Sequence, residues 1–392
     1  MFFKPNLMPC RRVQADQAIA GYEKAHVPLV SWDGAKFTAT ANNDDKGLFY
    51  FLQKLSSWFG LNTDQALFLF YTLSLSLAFL LGMLGIVLIF KETRSRLFAT
   101  IALFLLTALT FVRGDLYIMY TVFALAAIPL FLYFLQAGKS GWLGLHLAFA
   151  GLLAGTANFV RANTATGGII FILIALFFYY KGSFKNKLVL FVTLILGLVA
   201  VNSSVSNLYE KRDAFLASVN GTESVRPVKG HAFWHAVYVG LGYVKNPVVR
   251  DFRDEVAFEK VAEINPAIKQ YSPEYEDALK KETISFVTEH PFLFAINLLA
   301  KLGMILIYIL VFANIGLIAA YFYRNPWPLD LAFLGATGFN MLFGILVVPR
   351  LNYLLGLVAF AVLYAVFSIN KVLENSSVQE LFSDLRLKLK PR

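Results

Sequence analysis

The chain has 392 residues, of which 58% are hydrophobic and 16% aromatic, a composition that excludes an ordinary soluble domain and indicates a polytopic membrane protein. Its formal net charge of +10 does not mark a nucleic-acid binder, because the basic residues gather in short segments between apolar runs and in the C-terminal tail. One cysteine, Cys10, excludes an intrachain disulfide and a cysteine zinc site.

Residues 1–65 are predicted as an acidic loop ending in an interfacial helix. The opening MFFKPNLMPCRRVQADQ lacks the apolar core of a signal peptide. Within Ala41–Phe59 the residues Leu48, Phe49, Phe51, Leu52, Leu55, Trp58 and Phe59 recur at helical spacing, in a stretch too short and polar to span a bilayer. The expectation is a helix lying on the membrane surface, with Asp44 and Asp45 in the loop that enters it.

Nine apolar runs follow: about 66–90, 97–112, 116–135, 142–160, 167–180, 188–201, 302–323, 329–348 and 353–369, the second, fifth and sixth being short for a span. They divide the chain into transmembrane helices 1–6 within 66–202, a polar segment at 203–290, helices 7–9 within 291–370 and a basic tail at 371–392. Alternate loops and the tail hold thirteen lysines and arginines, from Lys91 to Arg392, whereas the opposite short loops hold only Arg113, Arg161 and Arg350. That asymmetry makes the first set cytoplasmic. Residues 1–65 and 203–290 then lie outside, and a transmembrane signal anchor is expected ahead of the first of them.

The 203–290 segment reads as a small helical domain, with charged helical stretches on either side of a Gly/Pro loop and a helix start at Ser272–Pro273. No strand pattern stands out, so the fold expected is all-α. No nucleotide loop, dinucleotide fingerprint, HExxH or serine elbow occurs.

The outer face should therefore collect Asp16, Asp44, Asp45, Arg113, Asp115, Arg161, Arg350 and the loop residues Lys229, His231 and His235. Arginines at the headgroup level suit a phosphate, since the planar fork donates two hydrogen bonds and stays charged; they are equally suited to snorkelling toward lipid. His231 and His235, four apart, have no third ligand at metal spacing; with Trp234 and Tyr238 they are expected in a surface pocket that orients a sugar or phosphate. His146, Lys301 and Asp330 read as packing or interfacial residues, so the mid-membrane is nearly uncharged, against an ion-coupled transporter.

An extracytoplasmic acidic segment followed by Lys46, Gly47, Leu48, Phe49, Tyr50, Phe51 and Leu52, and then by many spans, resembles the C-type (GT-C) membrane glycosyltransferases, among them the protein O-mannosyltransferases and the aminoarabinose transferase of lipid A. Many relatives have a Lys-Pro-Pro-Leu-aromatic-aromatic sequence there. HAFWHAVYVGLGY and EHPFLFAINLLAKLG are similar to the large outer loop of bacterial members. The resemblance implies an enzyme of the bacterial inner membrane that moves a sugar from a polyprenyl-phosphate carrier to an envelope glycan, lipid or protein acceptor, without a required cofactor. It implies Asp16 as base, where the family's Asp-Glu pair reads Asp16–Gln17 here, with Asp44 or Asp45 next. It implies Arg113, Arg161 and Arg350, with Asp115, for the donor phosphate. An O-antigen polymerase or ligase and a lipid or glycan transporter are the alternatives.

Overall fold

A computed structural model describes residues 7, 9–40, 46–113, 115–220 and 232–374; Asp44, Asp45, Lys229, His231 and the tail beyond 374 fall outside that set. The protein is an all-α polytopic membrane protein, and among the described residues eight helices are long and apolar enough to cross a bilayer. An N-terminal layer comes first: α1 (Pro9–Ala25), a hairpin of β1 (Val30–Trp32) and β2 (Phe37–Ala39), and α2 (Lys46–Phe59). The bundle follows, with α3 (Thr63–Ile89), α4 (Thr93–Arg113), α5 (Ile118–Ala137), α6 (Ser140–Val160), α7 (Thr166–Ile174) and α8 (Phe184–Asn220). Three short helices, α9 (Phe233–Gly240), α10 (Asp254–Ile264) and α11 (Pro273–Glu289), form a loop domain, and α12 (Pro291–Phe322), α13 (Trp327–Leu346) and α14 (Leu351–Leu373) complete the bundle.

The core helices are set apart by burial and not by greater apolarity, since α8 and α12 are at least as apolar as α5 and α14. In α5 89% of the apolar window is buried and in α14 78%, against 17% in α8 and 22% in α12, which face the lipid. Glycines let backbones meet without a hydrophobic drive between helices in lipid: a Cβ on Gly85 of α3 would stand 2.6 Å from Pro129 of α5, and one on Gly151 of α6 would stand 3.1 Å from Gly197 of α8.

The N-terminal layer is tied at one residue. Gln53, 1% exposed on α2, accepts from the Leu29 amide at 3.0 Å and donates to the carbonyls of Ala18 (2.8 Å) and Val30 (3.1 Å). One neutral side chain thereby joins α2, α1 and the hairpin, with every polar end satisfied. Gly47, at the start of α2, abuts Phe159 and Val160 at the end of α6. Trp58 and Phe59, at the other end of α2, are exposed as an interfacial helix requires.

Four features depart from the sequence expectation. The helix α1 stands where an acidic loop was expected. The hairpin was not foreseen; Asp33 makes it by accepting from Ala35 and Lys36 amides, both at 2.9 Å, with Gly34 at φ +105°. The fifth apolar run is one short helix, α7, finishing in a π turn at Ala175–Tyr179. The sixth does not stop near 201: α8 continues through 203 to Asn220, where Asn220 donates to the Phe37 carbonyl at 2.7 Å and Phe215 packs edge-on to Phe37. Ser272 caps α11 as expected, accepting from the Tyr275 amide at 3.2 Å.

Candidate functional site

α1 lies across one end of the bundle. Its Ala15 and Ala18 turn inward with no exposure, and from its first turns two adjacent arginines reach in different directions. Arg11 meets Asp115, in the turn between α4 and α5, at 3.3 Å; Arg12 pairs with Asp64 at the start of α3. One turn on, Asp16 accepts from the Thr63 hydroxyl. Asp16 is exposed and opens into a cavity of about 350 Å³ that Arg12, Glu23, Asn62, Thr63 and Asp64 also line.

Asp115 is 1% exposed and holds φ +46°, a left-handed conformation that aspartate tolerates better than most residues. Its Oδ1 accepts the Leu116 amide at 2.7 Å, and its Oδ2 faces Arg11. The sequence expectation placed Asp115 with the phosphate-binding arginines Arg113, Arg161 and Arg350; the structure pairs it, buried, with a different arginine, Arg11.

Two turns of the same surface bring Arg161 and Arg350 into one arc. The Arg161 guanidinium lies 5.0 Å above the Tyr117 ring and 3.4 Å from its hydroxyl. Tyr117 packs on Tyr353 at 5.0 Å, and Tyr353 is one helical turn beyond Arg350 on α14. Arg350 is exposed, stands over Phe252 at 5.1 Å and borders a second cavity of about 470 Å³, lined also by Lys245, Met304, Tyr308 and Pro349. Its charged groups are Lys245, Arg350 and Asp251, and Met304 and Tyr308 of α12 line it as well. Arg113 is not in the arc: it is exposed and makes no hydrogen bond or ion pair with the described residues.

His235 is placed inside the loop domain, not in a surface pocket. It is 7% exposed, with Nδ1 2.7 Å from the Tyr275 hydroxyl, Nε2 3.3 Å from Asp254 and its ring stacked on Phe258. Tyr238, expected beside it at the surface, is 1% exposed. The hydrogen bond from His235 holds the Asp254 carboxyl below the usual carboxylate range, and burial raises the Tyr275 hydroxyl. Glu276 receives the Trp234 and His235 amides at 2.8 and 3.2 Å, capping α9.

Arg11, Tyr117 and Tyr353 were missed in the sequence because they act through contacts more than a hundred positions away. Lys46, the first residue of the resemblance, packs on Tyr209 of α8 at 4.8 Å. Among the described residues no three His, Cys, Asp or Glu side chains gather as metal ligands. What fold and site together define is a polytopic helical membrane protein that carries a carboxylate cavity and an arginine–tyrosine arc on one end of its bundle.

No protein-family model and no curated protein sequence matches the chain. Among solved structures the chain is similar to ArnT from Cupriavidus metallidurans in the apo state, with 13% identity, coverage of 95% of this chain and 73% of that one, and a TM-score of 0.42. At that degree of likeness no activity transfers, and the functional reading rests on this chain's own residues.

Proposed function

We propose that the protein is an integral-membrane glycosyltransferase of the GT-C type, moving a sugar from a polyprenyl-phosphate-linked donor to an acceptor outside the cytoplasm. One observation carries the reading: a single helix, α1, presents Asp16 to a cavity and, from its preceding turn, Arg11 to the end of the bundle where Arg161, Tyr117, Tyr353 and Arg350 lie. A carboxylate and two arginines at one membrane boundary are what this transfer needs.

In this reading the acceptor hydroxyl occupies the cavity at Asp16. As its oxygen bonds to the anomeric carbon, the carboxylate takes the proton, and the bond from that carbon to the phosphate oxygen breaks. The negative charge left on the lipid phosphate is met by Arg161 and Arg350, both fixed over aromatic rings and charged at any working pH. The buried Asp115 holds Arg11 and with it the start of α1. The thirteen cations of the opposite loops and tail support an outward-facing site, and in this reading the membrane is the plasma membrane of a bacterium. Asp44, Asp45, Lys229 and His231 belong to the same outer segments and extend the list of groups for substrate contact.

The test is transfer from a radiolabelled polyprenyl-phosphate sugar pool in membranes that contain the chain or its variants. Asp16→Asn and Arg161→Gln are each expected to lower the rate by about 10²–10⁴ with unchanged protein levels. Full transfer by both variants refutes the reading. Loss in His235→Gln with tolerance at Asp16 would favour the polymerase or ligase.

A further inference from the structure

Lys301 lies within α12 at 2% exposure, one turn after Asn297 at 3%. The reaction above uses neither. Asn297 grips the end of α9: its Nδ2 donates to the Gly240 carbonyl at 3.2 Å and its Oδ1 accepts the Val244 amide at 3.1 Å. Lys301 grips the end of α13, its Nζ donating to the Ile345 carbonyl at 2.9 Å. That carbonyl is in the last helical turn, where the chain itself supplies no donor and the helix dipole favours a cation. Gly240 brings the two grips together. A Cβ there would meet the Leu346 carbonyl, come within 2.8 Å of the Val347 carbonyl and within 3.2 Å of the Lys301 Nζ.

The segments so held become facing walls of the larger cavity. Residues 242, 243 and 245 follow the Asn297 grip, and residues 348–350 follow the Lys301 grip. Only five positions separate Ile345 from Arg350, and they include Pro349 and a turn closed by the Arg350 amide on the Val348 carbonyl at 2.8 Å. A shift of the α13 end therefore reaches the guanidinium with little slack.

We propose that Lys301 is a positioning residue: its ammonium anchors the end of α13 and so fixes where Arg350 presents its guanidinium to the anion. The proposal rests on the reading of Arg350 as a phosphate-binding group. It differs from a general packing role in predicting that Lys301 matters only while Arg350 is present.

The experiment is calorimetric titration of the full chain, purified in an uncharged detergent, with dodecyl phosphate, an apolar chain ending in a phosphate. Arg350→Gln and Lys301→Met are each expected to weaken binding about tenfold, Lys301→Arg to retain it, and the Lys301→Met/Arg350→Gln double variant to bind no worse than Arg350→Gln alone. Additive losses in the double variant, or wild-type binding by Lys301→Met, overturn the proposal. If Arg350→Gln binds like the wild type, or the wild type does not bind, the phosphate reading of Arg350 fails instead. Should Lys301→Met not fold, Gly240→Ala moves the same end of α13 from the other side; the same loss, abolished in the Arg350→Gln background, supports the proposal, and an unchanged affinity overturns it.

Discussion

Replacing Gln53 with leucine tests how the N-terminal layer is held over the bundle. Leucine has nearly the volume of glutamine but offers no hydrogen bond, so the change isolates the polar contribution. Gln53 supports three backbone groups. The hairpin bonds Thr40 to Leu29 and Asp33 to Lys36, so in the alternating ladder Val30 turns its carbonyl away from β2 toward Gln53. The Leu29 amide and the Val30 carbonyl thus lose their partner outright, at about 1–3 kcal/mol each for a buried group. The Ala18 carbonyl sits inside α1, where the helix supplies a donor, and adds little. The sum is about 2–6 kcal/mol. Thermal unfolding in detergent should show a clearly lowered midpoint, and limited proteolysis should cut first between α1 and α2. Gln53→Glu keeps the acceptor for Leu29 but turns a charge on two carbonyls, so its carboxyl should titrate above the usual range. That variant should be most stable at low pH and weaken as pH rises through the raised value. A Gln53→Leu midpoint within a degree of the wild type would refute the assignment of Gln53 as the tie.

Three further outcomes follow from other contacts. Gly47→Ala should destabilise by about 1–3 kcal/mol, since its Cβ would lie 2.5 Å from backbone atoms of Phe159, which cannot step aside; a chemical unfolding curve reads it. Asp115→Asn keeps the tolerance for φ +46° and should cost about 1–3 kcal/mol, below the full figure for a buried pair because Arg11 is 15% exposed; adding Arg11→Met should recover part of the loss, which a double-mutant cycle measures. Asp254 has a folded-state pKa below its unfolded value, so its contribution is complete above the unfolded value of about 4 and is lost as pH falls through the lower folded one. Acid unfolding of the loop domain, followed by near-ultraviolet dichroism, should therefore flatten in Asp254→Asn.

The bundle was legible because each run had to satisfy its own backbone in lipid, which leaves a long apolar signature. The same physics hid the extent of α8: hydropathy reports the depth of the bilayer and falls at Asn202, while the helix runs on to Asn220. α1 was obscured for another reason, since its inward face is only Ala15 and Ala18, too small to mark a periodic stripe. In the site, Asp115, Arg161 and Arg350 stood out as polar groups at predicted boundaries, and Asp16 through the family resemblance. The tyrosines between Arg161 and Arg350 did not, because Tyr117 and Tyr353 meet across 236 positions of sequence and look like any interfacial aromatic. His235 was expected in a surface pocket and is internal, its neighbours Tyr275 and Asp254 being brought up by helices that sequence spacing does not align.

α8 makes the protein its own ruler. Its 37 residues give a rod of about 55 Å, longer than the roughly 30 Å hydrocarbon layer it crosses, and its tip carries the hairpin through Asn220 and Phe215. The hairpin edge of the N-terminal layer is thus braced by one uninterrupted helix. Adding a single residue between 203 and 212 raises the tip by about 1.5 Å and swings it through about 100°, carrying Asn220 and Phe215 off the hairpin. Adding seven raises it by about 10 Å with almost no swing, and sets the aimed tip pulling the hairpin against the ties of Arg11 to Asp115 and of Gly47 to Phe159 that hold the rest of the layer on the bundle.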